Sequence, residues 1–74
     1  MVQKSDCDIE QGYSTMEFVA KLRRLADALE QGNRFKIQIA GERISVPADA
    51  MYTIEHEREE GREEIEFQIK WSRK

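Results

Sequence analysis

The chain has little of what most often carries chemistry: one cysteine, one histidine, one proline and one tryptophan stand among its 74 residues. Each scarcity removes a class of function. Cys7 has no second cysteine, which excludes an internal disulfide and any zinc site built on paired cysteines. A reducing, cytoplasmic setting is expected. Asp6 and Asp8 flank the thiol and disfavour the thiolate, so Cys7 reads as a small apolar residue and not as a nucleophile. The lone imidazole, His56, lies near the end of a strand pattern, and no second ligand or orienting partner can be placed beside it from sequence. A structural role is expected, with no enzymatic activity, no metal and no cofactor. Nowhere is there a run of about 18 apolar residues, and the opening Met1-Val2-Gln3-Lys4-Ser5-Asp6 lacks an apolar leader, so no membrane partner is expected.

What the chain does have is charge. Charged residues make up 36% and hydrophobic residues 39%, enough apolar content for a single small folded domain over residues 1–74 with a heavily charged surface. The net charge of -3 argues against a general binder of phosphate backbones, which needs a dominant positive field. Nucleic acid is not an expected partner.

The clearest local signal is a helix start. Ser14-Thr15-Met16-Glu17 fits a capping box, and Tyr13 and Phe18 stand at the staple positions. Phe18, Val19, Leu22, Leu25, Ala26 and Leu29 then form one apolar stripe, and Gly32 follows the last periodic residue. A helix over Thr15 to Gln31 is expected. After it the period changes to two: Phe35, Ile37 and Ile39 alternate with polar neighbours, and a turn at Gly41-Glu42 would pair Ile39 with Ile44 and Ile37 with Val46. Pro47 lacks an amide donor and so ends that strand or lies on an unpaired side of it. A second turn at Glu60-Gly61 pairs Glu59 with Arg62, His56 with Ile65, Ile54 with Phe67 and Tyr52 with Ile69, and sets every apolar side chain on one face. Cys7 and Ile9 alternate with acidic residues and suggest an N-terminal edge strand. The fold class is therefore α+β: one amphipathic helix on one face of a mainly antiparallel four- or five-stranded sheet, in the order β-α-β-β-β-β, with Leu22 and Phe67 as core residues.

The short N-terminal strand, the helix Ser14 to Gln31 closed by Gly32, the segment Ile44-Ser45-Val46-Pro47 and the alternating tail Glu64-Ile65-Glu66-Phe67-Gln68-Ile69-Lys70-Trp71 together resemble the amphi-Trp domain. That family is a small prokaryotic module named for an amphipathic C-terminal stretch ending in tryptophan. The N-terminal strand is less apolar here than the family leads one to expect. The resemblance implies a fold and a prokaryotic source, and it transfers no catalytic residues.

Three groupings bear on function. Glu55, Glu57, Glu64 and Glu66 fall on the outward face of the last hairpin, as a cation site, as a docking surface for a basic partner or, the reading favoured by the flatness of a strand ladder, as a solvated face that deters edge pairing. Lys21, Arg23, Arg24, Arg34 and Lys36 form a basic cluster that could bind nucleic acid or another anion weakly through the helix surface, as the alternative to an interaction module, although interleaved Glu17, Asp27 and Glu30 dilute its field. The inward row Tyr52, Ile54, Phe67, Ile69 and Trp71 is the candidate interface. A helix about 10 to 12 Å wide cannot cover a sheet of roughly 19 to 24 Å. Part of that row is expected to stay open and to bind a protein partner or a second copy of the chain.

Overall fold

The computed structural model describes residues 9–73, in the order α1 (Thr15–Gln31), β1 (Phe35–Ile39), β2 (Glu42–Val46), β3 (Met51–Glu59) and β4 (Arg62–Lys70). The fold is α+β. Cys7 and most of the expected N-terminal strand lie outside the described residues, and Ile9 and Glu10, which lie inside them, are not in a strand.

The helix begins and ends where its local chemistry requires. Ser14 is extended, its hydroxyl accepts the Glu17 amide at 3.2 Å, and the Glu17 carboxylate accepts the Ser14 amide at 3.0 Å. Two of the orphan donors that open a helix are thereby satisfied. At the other end Gly32 adopts a φ of 70°, its amide reaches the Leu29 carbonyl and the Asn33 amide reaches that of Ala28. This is the Schellman closure that glycine permits.

The β4 register is the one its turn and apolar pattern predict: Tyr52 faces Ile69, Ile54 faces Phe67, His56 faces Ile65 and Glu59 faces Arg62. In the first hairpin the register differs from expectation. Phe35 faces Val46 and Ile37 faces Ile44, so the turn is Ala40-Gly41 and not Gly41-Glu42. Both turn residues have positive φ, 50° at Ala40 and 85° at Gly41, the sign pattern of the hairpin turn whose twist matches its strands. Pro47 explains the choice. The expected register would set Pro47, which has no amide proton, opposite Lys36 inside the ladder, whereas the observed ladder ends one residue short of it.

A larger difference concerns the sheet. The strands form two separate two-stranded sheets, β1-β2 and β3-β4, in place of one continuous sheet. Pro47 stops β2, and the Ala50 amide closes a turn onto the Pro47 carbonyl at 3.3 Å. That turn redirects the chain before β3 can pair with β2. Ala50 is itself buried and anchors the turn beside Phe35 and Val46. Around these three pack Leu25, Ala28, Ile37, Ile44 and Ile69, with α1 lying on β1 and the second hairpin meeting this core through Ile69 near its base. Leu22 and Phe67 are not core residues: they are 37% and 64% exposed. No helix among the described residues is long and apolar enough to cross a membrane.

Candidate functional site

The second hairpin carries the feature that a folded chain of this size should not tolerate in isolation. Its strand alternation places Tyr52, Ile54 and His56 of β3 on one face with Ile65, Phe67 and Ile69 of β4. Ile54 is 69% exposed and Ile65 64%, and Tyr52 and Trp71 are also exposed. Ile69, at the base, is half-buried because it reaches the small core. Of the candidate interface, Phe67, Ile69 and Trp71 border an open groove of about 480 Å³, while Tyr52 and Ile54 lie outside it. Across the groove stand Phe18, Leu22 and Leu25 of α1 with Ile39 and Ile44 of the first hairpin. Those opposing walls were not readable as part of a site from sequence, since periodicity assigns them to a closed core. Ile65 was legible as a member of the row by the same alternation that identified Phe67.

The opposite face of this hairpin is acidic. Glu55 faces Glu66 and Glu57 faces Glu64, and carboxylate oxygens of Glu55, Glu57 and Glu66 lie within 4.8 Å of one another. The Glu55 charge foremost, then a hydrogen bond with Glu55 and the charges of Glu66 and Glu64, hold the Glu57 carboxyl above its ordinary range. Thr53 donates to Gln68 at 2.8 Å, and Gln68 donates in turn to Glu55 at 3.2 Å. His56, on the apolar side, meets Glu63 at 3.0 Å, and Arg58 lies 3.7 Å from the same carboxylate. That pair is exposed and diagonal across the strands, an ordinary cross-strand contact.

Of the basic residues singled out by sequence, Lys21, Arg24 and Lys36 come together, and Arg43 joins them around a shallow cleft of about 470 Å³ between α1 and the first hairpin. Arg34 instead donates to the Ser45 hydroxyl at 2.9 Å and, like Arg23, does not line the cleft. Arg43 escaped the sequence reading because only the fold of β2 beside α1 brings it near Lys21.

A family model described as the Amphi-Trp domain matches residues 1–74. No curated protein and no solved structure matches the chain.

Proposed function

We propose that this chain, which belongs to the Amphi-Trp domain family, is a non-enzymatic protein-interaction module that self-associates through the apolar face of its second hairpin. The observation that carries the reading is the exposure of Ile54, Ile65 and Phe67, each more than three-fifths open, beside a groove with apolar walls. A row that needs covering and a groove that needs filling occur in one molecule, so a two-fold pair of copies satisfies both with a single self-complementary contact. Obligate interfaces of this kind resemble a domain core divided between two chains. The acidic row on the other side of the hairpin repels its own image, which directs association to the apolar face. The single cysteine fits a reducing, cytoplasmic setting for such a module.

Sedimentation velocity over a wide concentration range tests this, together with quenching of Trp71 fluorescence. The parent is expected to associate reversibly and to shield Trp71 as it does so. Ile54→Lys, at a position too exposed to matter to the single copy, is expected to hold the chain monomeric. A parent that stays monomeric at every concentration would remove the reading.

A further inference from the structure

We propose that the cleft between α1 and the β1–β2 hairpin binds a small ligand bearing linked phosphate groups. Lys21, Arg24, Lys36 and Arg43 line it, and no carboxylate does, in a chain whose net charge is -3. Composition therefore does not account for the gathering of four cations there. Among the described residues the ion pairs are those of His56 and Arg58 with Glu63; Lys21 also acts on the Glu17 carboxylate one turn back, outside the lining of the cleft, which leaves Arg24, Lys36 and Arg43 with no carboxylate partner there.

Two of the four are held in place. The Arg24 guanidinium lies 5.3 Å from the centre of the Phe35 ring and donates to the Lys36 carbonyl, and the Lys21 ammonium lies 4.7 Å from the centre of the Tyr13 ring. Stacking and a backbone hydrogen bond remove side-chain freedom that an anion would otherwise have to freeze out on binding. Four cations around one cleft with no carboxylate in its lining raise the local potential, and a compact anion lowers it.

The remaining lining narrows the ligand. Gln38 and Ser45 offer neutral hydrogen bonds, while Ile37 and Ile44 present apolar surface, so the cleft suits an organic phosphate better than a bare ion. Its volume of about 470 Å³ falls within the range of small-molecule sites. A long nucleic-acid backbone is disfavoured, because it would have to run on from the cleft over a chain of net negative charge.

Calorimetric titration of the intact chain with inorganic pyrophosphate and with adenosine diphosphate, at low salt, decides the matter. Saturable binding is expected for both, weakened about tenfold or more by Lys36→Gln with Arg43→Gln, since charged hydrogen bonds are lost. Circular dichroism of the double variant should match the parent, and if it does not, Arg43→Gln alone serves, with a smaller loss. Arg24 keeps its hydrogen bond in either variant, because its acceptor is a backbone carbonyl. No binding up to about millimolar ligand, or equal affinity in parent and folded variant, would overturn the proposal. So would retention of a single-stranded oligonucleotide with a steep salt slope and no binding of either small probe, which would make the cleft a nucleic-acid surface.

Discussion

Glu17 and Glu57 are both exposed carboxylates, yet their surroundings act on them in opposite directions. The Glu17 carboxyl is held below its ordinary range, first by the Ser14 backbone amide and then by the Ser14 hydroxyl. Its contribution to stability is present above the unfolded carboxylate range and is lost as pH falls through the lowered folded value. Glu57 is raised, chiefly by the Glu55 charge, so its contribution is present below the unfolded range and is lost as pH rises through the raised folded value. At neutral pH, then, the cap stabilises while the acidic row opposes folding. Glu57→Gln is expected to raise the urea midpoint at neutral pH and to leave it unchanged in acid, below the ordinary carboxylate range. A midpoint that falls at neutral pH would show that the ionised Glu57 makes a favourable contact, such as one to a cation, that outweighs the repulsion.

The turn of the first hairpin shows how far an element can be read before packing intervenes. Ala40 occupies a left-handed conformation, at φ 50°, that costs a residue with a β-carbon roughly 1 to 2 kcal/mol. Asparagine followed by glycine is the favoured pair for a turn with two positive φ values, and Ala40→Asn keeps the amide that the Gln11 side chain accepts. This substitution is expected to stabilise the chain by up to about 1 kcal/mol in urea melts, because asparagine tolerates the left-handed conformation better than alanine. A loss of stability would mean that the turn lies elsewhere. The same residue explains why the register was hidden: local preference puts glycine first in the turn, and only Pro47, at the far end of β2, forces the ladder the other way. Helix α1 and the second hairpin were legible because their signals agree at every level. Ser14 and Gly32 mark one, and Gly61 with the row from Tyr52 to Ile69 marks the other. The break between the two sheets was not legible, since it depends on the path of residues 47–50 and the burial of Ala50. The apolar row could be named in advance by alternation alone. The groove facing it could not, because Leu22 and Phe18 look the same in sequence whether the core closes over them or stays open.

Taken as a whole, the molecule is more extended than its length warrants. A compact chain of this size has a radius of gyration of about 11 Å, and this one has 13.8 Å, with a longest dimension of 40 Å. The excess follows from a hairpin of two nine-residue strands that meets the small core through Ile69 near its base and carries Ile54, Ile65 and Phe67 in the open. Among the described residues only Phe35, Val46 and Ala50 are buried hydrophobics, a core too small to hold a domain of this length firmly by itself. If a second copy completes that core, folding and association are linked, and apparent stability must depend on protein concentration. The thermal midpoint is therefore expected to rise with concentration across the range where sedimentation detects association. Phe67→Ala separates this from a merely weak monomer. In an isolated copy, where Phe67 is 64% exposed, its loss should be close to neutral, within about 0.5 kcal/mol. In an associated pair the same change removes a buried aromatic, costs on the order of 3 to 5 kcal/mol, and flattens the concentration dependence. Melts of parent and variant at the two ends of the concentration range measure both quantities. Equal midpoints at both ends, with Phe67→Ala neutral throughout, would mean that the open hairpin is the finished structure and that a second copy does not close it.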